Sequence, residues 1–411
     1  MKIVILSDGF PPLALGGAEV IARNLAKALA ERGHEVSVIT STKDINDAGK
    51  FTDGKINIYK IYSDYSDRWR AYRSLYNSGV VHKVESILSK IKPDIVHIHN
   101  IHKHLSYACI NVAKKYSRGI VLTAHDLMLV HYGKLGAHVG KNNEVEVDKI
   151  SFLSQIMQYK FRYNPFRNFV IRYYLRKVDK IFAVSSALKN ILEREGISGI
   201  EVLHNGIKVS DWIIDKSKLI DFKNKYELSD KKVLFFGGRL TGIKGGIVAL
   251  QVLEKVLSKI DNAVLIVVGH KDDWGKEMLE KTKDMRIDRK VIFTGWIPHE
   301  DIRYAYASSD VVLVLSRYLD PFPTINLEAM ATSKAVVGTI LGGTPEAVLD
   351  NKTGYIVDPN NIELVSEKVL DLLSDIDKLK SFGLSGFKRV SNINNEEIWV
   401  DKTILCYTSV L

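Results

Sequence analysis

The feature that most constrains this chain is a rhythm: short, almost wholly apolar runs alternate with amphipathic stretches, and the series occurs twice. The first half carries KIVIL (2 to 6), EVSVIT (35 to 40), INIYKIY (56 to 62), DIVHIHN (94 to 100), GIVLTAH (119 to 125) and KIFAVS (180 to 185). The second carries KVLFFGG (232 to 238), AVLIVVG (263 to 269), KVIFTG (290 to 295), DVVLVLS (310 to 316) and AVVG (335 to 338). A run apolar on both of its faces reads as a parallel strand covered on each side by helices. Between the runs, Ala18 to Arg32 places Val20, Ile21, Leu25, Ala28 and Leu29 on one helical face and ends at Gly33. Val80 to Ile91 and Lys103 to Lys115 read as further helices. The class is therefore α/β, with two doubly wound, Rossmann-like domains joined near HNGIKVSDW (204 to 212). Ligands of such folds sit at the carboxyl ends of the strands, so two domains facing each other across a cleft would hold the ligand there.

Composition narrows the class. At 411 residues the chain is longer than one core usually serves, and two domains of roughly 200 residues are expected. Two cysteines, Cys109 and Cys406, cannot form a disulfide framework, and no Cys/His set has zinc spacing. A reducing compartment is the simpler expectation. Met1 leads straight into a strand-like run without a cleavable leader, and no stretch approaches the ~18 apolar residues of a membrane span. The charge is uneven: residues 1 to 205 hold 30 Lys/Arg against 19 Asp/Glu, while 206 to 411 hold 28 against 29. The whole excess of +10 lies in the first half, which suits an anionic partner there.

Three loops at strand ends carry candidate chemistry. In DGFPPLALGGAEV, Gly16 and Gly17 lead into a helix, where exposed N–H groups and the helix dipole favour an anion; a plain turn is the alternative. There is no GxGxxG and no Walker A lysine, which speaks against a dinucleotide or P-loop site. FFGGRLTGIKGG (235 to 246) sets Arg239 and Lys244 among five glycines, one planar fork and one point charge suited to a diphosphate. LDPFPTINLEAMATSKAVVG (319 to 338) holds Asp320 on a loop and Glu328 near the start of a helix, a carboxylate pair suited to sugar or ribose diols. A glycosidase pair is possible on carboxylates alone, but it leaves the cationic loop without a purpose.

The combination GGAE, GGR-x4-K, Asp320-x7-Glu328 and GGTPE (342 to 346) resembles the retaining group 1 glycosyltransferases, glycosyltransferase family 4, of GT-B fold. PDIVHIHN, LTAHD, AVSSALK, HNGI, FTGWI and TGYIVDP look like family segments in family order, so the resemblance spans nearly the whole chain. It implies that Gly16 and Gly17 approach the donor through backbone N–H groups and that His125 contacts the donor sugar near the reacting centre. It implies Arg239 and Lys244 on the diphosphate, Asp320 on the transferred sugar's hydroxyls and Glu328 on the ribose. Phe322, Pro323, Thr324 and Ile325 would line the sugar and phosphate, with backbone donors where they exist. Asp320 stands one methylene shorter than the family's usual Glu. Pro321 and Pro323 replace typical glycines, and Pro323 has no N–H to offer.

Other residues are expected to be structural. HIHNIHKH (97 to 104) places His97 and His99 on one strand face, but no carboxylate or thiol nearby completes a metal site. His131, His138, His204 and His270 read as loop or structural residues, and His270 could at most approach the base. Asp375 and Asp377, the one DxD, fall at a polar helix end. No metal and no cofactor are implied. Residues 159 to 180 and 67 to 79 are rich in Arg, Lys, Phe and Tyr, which suits an anionic bilayer or a lipid-diphosphate acceptor; alternatively the aromatics face the core while the cations snorkel. Residues 133 to 149 read as a polar loop over the acceptor entrance. The last segment, with Ile398, Trp399, Ile404, Leu405 and Tyr407 at helical spacing, would return to the first domain, as in the resembling family.

The expected domains are 1–205 plus a final helix at about 394–411, binding the acceptor, and 206–393, binding the nucleotide-sugar donor. The expected activity is retaining, metal-independent hexosyl transfer from a nucleotide-diphosphate sugar to a hydroxyl of a glycan or lipid-linked saccharide, in cell-surface polysaccharide or glycolipid synthesis. A cytoplasmic protein, peripheral on the inner membrane face, fits that work. The alternatives are a sugar-nucleotide epimerase or phosphorylase of the same architecture, or a non-enzymatic nucleic-acid binder. For the last no recognised motif exists, and nucleic acid is not expected as a partner.

Overall fold

The computed structural model describes residues 1–12, 16–140, 144–238, 242–269, 273–298 and 300–411. Two parallel sheets organise it. The first has eight strands in the order Ile200–Val202, Lys180–Ala183, Gly119–Ala124, Ile95–Ile98, Lys2–Leu6, Glu35–Thr42, Ile56–Tyr62 and Gly49–Asp53, all parallel except the last pair. The second has six parallel strands: Val291–Gly295, Ala263–Val268, Lys232–Gly237, Val311–Val314, Ala335–Thr339 and Gly354–Val357. In both, the chain winds outward from a central strand in two directions, the doubly wound pattern expected of continuous apolar runs.

Burial explains the runs. Ile3 to Leu6 are covered on both faces, and the helix Gly17–Glu31 lays Ile21, Leu25 and Leu29 along one stripe in the core with Ile3 and Ile5. Each such side chain stabilises by about 1.5–3 kcal/mol when removed from water. The second core packs Leu234, Leu265 and Leu313 against Val252, Val256, Val365 and Val369. The final helix, Glu396–Ser409, joins the first core through Trp399, Val400, Cys406 and Tyr407, whereas Leu405 faces solvent. Spacing alone could not separate Leu405 from its buried neighbours.

The chain divides into two compact units: Met1–Leu135 with Lys149–Asn205 and Glu397–Leu411, and Gly136–Asp148 with Gly206–Glu396. The polar segment expected as a loop over the acceptor side contains an antiparallel hairpin, Ala137–Val139 with Val145–Val147, and it belongs to the second unit. There Gly136 bridges to Tyr318. The expected helix Lys103 to Lys115 begins only at Cys109, because the preceding backbone N–H groups turn onto a side chain instead of onto one another. No described helix is long and apolar enough to cross a membrane.

Candidate functional site

In the second unit, the loop after Val311–Val314 returns to the end of Lys232–Gly237. Lys244, at the close of a short helical turn Gly242–Lys244, places Nζ 2.5 Å from Oδ2 of Asp320 and 5.3 Å from the Tyr318 ring. Ser316 donates its hydroxyl to the same Oδ2 at 3.0 Å. Asp320 is nearly covered, and Lys244 keeps a quarter of its side chain exposed. Burial opposes the ammonium charge, but the Asp320 carboxylate and then Tyr318 outweigh it and hold the lysine above its ordinary range. A cation that stays charged and partly open at a strand end is what a diphosphate requires.

Two glycines make this geometry possible. Gly342 adopts φ +84°, and its N–Cα edge lies so close that a Cβ would stand 2.2 Å from the Asp320 carbonyl oxygen. The next residue, Gly343, donates its N–H to that carbonyl at 2.8 Å, so the GGTPE turn clamps the Asp320 backbone. Gly245, at φ +86°, leaves no room for a Cβ against Leu315.

Glu328 rides on the helix Thr324–Ala331, half-buried, and accepts a 2.5 Å hydrogen bond at Oε2 from the Tyr306 hydroxyl. Tyr306 is buried, stacked on Phe235 at 4.3 Å and held edge-on by Trp212. Burial and then the Glu328 charge push its phenol well above the ordinary value, so it remains a donor. Phe322 and Pro323 are buried, and Thr324 and Ile325 open the helix, where N–H groups have no partner within the helix. Asn326 is fully buried and donates to the Thr344 hydroxyl at 3.3 Å, tying this helix to the GGTPE segment. Arg239, expected beside Lys244, lies outside the described residues, as does His270.

In the first unit, His125 follows the strand Gly119–Ala124. Its Nε2 lies 2.8 Å from Nδ1 of His99, with the rings stacked at 5.0 Å. Burial lowers His125 to about 4 despite Asp126, and it drives His99 well below its usual value, so the pair is neutral at physiological pH. One nitrogen must then donate and the other accept, which fixes the tautomers relative to each other. His97 is spent on structure, between Tyr407 at 2.6 Å and Thr123 at 2.8 Å. A void of about 10 Å³, the size of one water, lies among His99, His102, Thr123, Tyr107 and Asp126. Gly16 caps the helix Gly17–Glu31, and a Cβ on Gly17 would meet nothing within 4 Å. Among the described residues no group of three or more His, Cys, Asp or Glu is placed to hold a metal ion.

Sequence reasoning missed several partners. Asp8 receives the backbone N–H groups of Lys103, His104 and Leu105 at 2.6, 2.8 and 2.7 Å, and burial pushes its carboxyl up to about 6 against those bonds. Arg70 and the fully buried Arg167 lie over the Tyr132 ring at 5.2 and 5.7 Å, and neither forms an ion pair among the described residues. Tyr306 and Ser316 had no signal at all: their role depends on a tertiary neighbour. Asp8, an acid just after the first strand, was the one findable residue.

Comparisons with known proteins give the family and the fold. Residues 15–211 match the family model described as Glycosyltransferase Family 4, and residues 218–389 match that described as Glycosyl transferases group 1. N-acetyl-alpha-D-glucosaminyl L-malate synthase of Bacillus anthracis is 25% identical over 394 residues, covering 93% of this chain and 91% of the relative. Sucrose-phosphate synthase from Thermosynechococcus elongatus superposes with a TM-score of 0.78 at 19% identity, over 100% of this chain and 98% of its own. Anabaena HepE, solved in complex with UDP and glucose, superposes with a TM-score of 0.73 at 18% identity, over 100% of both chains.

Proposed function

The chain belongs to the group 1 glycosyltransferases of GT-B fold, and from that premise we propose a retaining, metal-independent hexosyltransferase that uses a nucleotide-diphosphate sugar and a hydroxyl of a glycan or lipid-linked saccharide. The observation that carries the reading is the Lys244–Asp320–Ser316 cluster together with the pair of Tyr306 and Glu328, the latter on the helix that follows the Asp320 loop: a charge-stabilising group and a diol-binding group in one unit. UDP in the solved HepE complex supports a nucleotide diphosphate as the leaving group.

In this reading Lys244, with Arg239, stabilises the negative charge that grows on the departing diphosphate, the largest single contribution such chemistry draws from a protein. Asp320 aims the ammonium and reaches the transferred sugar's hydroxyls. Glu328, held by Tyr306, accepts hydrogen bonds from the ribose diol. The loop Phe322, Pro323, Thr324 and Ile325 lines sugar and phosphate, the last two offering N–H groups. Gly16 and Gly17 meet the donor through backbone, and neutral His125 donates to or accepts from a sugar hydroxyl. As the glycosidic bond to the diphosphate breaks, the acceptor oxygen bonds to the anomeric carbon on the same face, and its proton passes to the departing phosphate oxygen. The excess of Lys/Arg over Asp/Glu in residues 1–205 suits an acceptor carrying a phosphate, in cell-surface polysaccharide or glycolipid synthesis.

Lys244→Ala should lower kcat by about 10²-fold or more and also lower Tm, because it strands the nearly covered Asp320 carboxylate; near-normal turnover of the folded protein removes Lys244 from the reaction. The anomeric configuration of the product, read by NMR, decides the stereochemistry, and an inverted product refutes it. Undiminished activity in excess EDTA is expected. Conversion of a sugar nucleotide without any acceptor would favour the epimerase alternative.

A further inference from the structure

Two helices of the first unit each bury a polar side chain while presenting large apolar ones to solvent, although Ile171 and Leu175 of the second are also buried. In Phe152–Tyr159 the buried side chain is Gln155, 2% exposed, whose Oε1 accepts the Tyr132 N–H at 2.9 Å, while Phe152, Leu153 and Met157 stand in the open. In Arg167–Leu175 the polar Arg167 is wholly buried, its guanidinium bonded to the Met128 carbonyl and to Asn168, while Phe169 is 70% exposed. Between them Phe161 is 98% exposed and Phe166 72%. Of the two alternatives read from this segment, the aromatics divide: Tyr163 is buried, while Phe161, Phe166 and Phe169 stand outside with Lys160, Arg162 and Arg176. The helix Phe152–Tyr159 is anchored on the inner side through Ile156 and Tyr159 against Ala71, Met128, Tyr132 and Tyr163, so its apolar outer face is fixed rather than incidental. Trp69, half exposed beneath Arg68, lies on the turn that abuts Lys160–Arg162 and extends the same face.

The charges around these side chains are mostly positive, with Asp67 on the Trp69 turn as an exposed exception. Residues 149–178 contain seven Lys/Arg and no Asp or Glu. Lys149, Lys160, Arg162 and Arg176 are exposed. Six large apolar groups presented to water would be unfavourable on a surface meant to stay wet. Surrounded by an excess of cations, they match an interface in which apolar tips enter the acyl boundary while ammonium and guanidinium groups meet anionic headgroups. A second copy of the same face would bring like charges together, which opposes self-association.

We propose that this face, carried by residues 149–178 and Trp69, docks the enzyme on an anionic lipid bilayer. The inference is independent of the donor assignment, since no residue proposed for catalysis or donor binding takes part.

The full-length chain is spun with vesicles of phosphatidylcholine alone and of equimolar phosphatidylcholine and phosphatidylglycerol. At low salt, binding to the anionic vesicles should exceed that to neutral ones by about tenfold or more, and about 0.5 M salt should weaken it. Phe161→Asp with Phe166→Asp, and separately Lys160→Glu with Arg162→Glu, should each reduce the bound fraction about tenfold while the thermal shift with UDP stays unchanged. Because these side chains are exposed, folding should survive. Equal binding to both vesicle types, or none to either, overturns the proposal. So does a dimer seen by light scattering that the same variants convert to monomer, since the face would then be an interface between copies.

Discussion

Replacing Asp320 by Asn tests the heart of the second unit. The substitution keeps the shape and removes the charge facing Lys244 Nζ at 2.5 Å. At that separation and an effective dielectric of about 20, the attraction is about 7 kcal/mol, part of which desolvation cancels. Removal of one partner from a buried pair is worth about 3–5 kcal/mol, and a lysine a quarter exposed belongs at the lower end, about 3. For a unit of this size that is a fall in Tm of roughly 6–12 °C by calorimetry. The pH dependence carries a second signature. Lys244 is held above its ordinary value, so its stabilisation is complete below about 10.5 and is lost as pH rises above it. The Asn variant should lack that alkaline loss. A third follows from the proposed chemistry: a bound nucleotide diphosphate restores negative charge beside Lys244, so UDP should raise the variant's Tm by more than it raises the parent's. An unchanged Tm with an unchanged alkaline limb would refute the claim that this pair is energetically coupled.

Tyr306→Phe removes the donor to Glu328 and should destabilise by about 1.5–3 kcal/mol while weakening nucleotide affinity measured by calorimetric titration; unaltered affinity would dissociate the pair from the donor. Gly342→Ala should lower soluble yield and Tm sharply, because its Cβ would stand 2.2 Å from the Asp320 carbonyl at a φ that side chains avoid. Buried His97 at about 3, and His102, His104 and His125 at about 4, are neutral when folded and charge when unfolded. Stability of the first unit should therefore fall as pH drops from about 6.5 toward 4, opposed only in part by Asp8, whose raised value of about 6 stabilises in the same direction as acid. Calorimetric scans at stepped pH would show this, and a flat profile would contradict the burial of these rings.

The strand series was legible because a strand covered on both faces must be apolar at successive positions, and Lys2–Leu6 or Ala263–Val268 leave no other reading. Short edge elements were not. Gly49–Asp53 and Ile200–Val202 carry few core residues, and the hairpin Ala137–Val139 with Val145–Val147 is polar because little packs on it. Lys103 to Cys109 failed as a helix for a specific reason. Its residues suit one, but three of its N–H groups are better satisfied by the Asp8 carboxylate.

At the candidate site the same division holds. Lys244, Asp320, Glu328 and His125 could be picked out because charged or titratable residues beside glycines at strand ends follow from chain order alone. Their partners could not: Ser316, Tyr306 and His99 act through contacts of 2.5–3.0 Å that only folding creates. The sequence by itself determined the fold class, because apolar periodicity is a local property of consecutive residues. Only the tertiary structure decided that the polar Gln155 and Arg167 turn inward beside their apolar neighbours, because that choice depends on the hydrogen bonds a distant backbone offers.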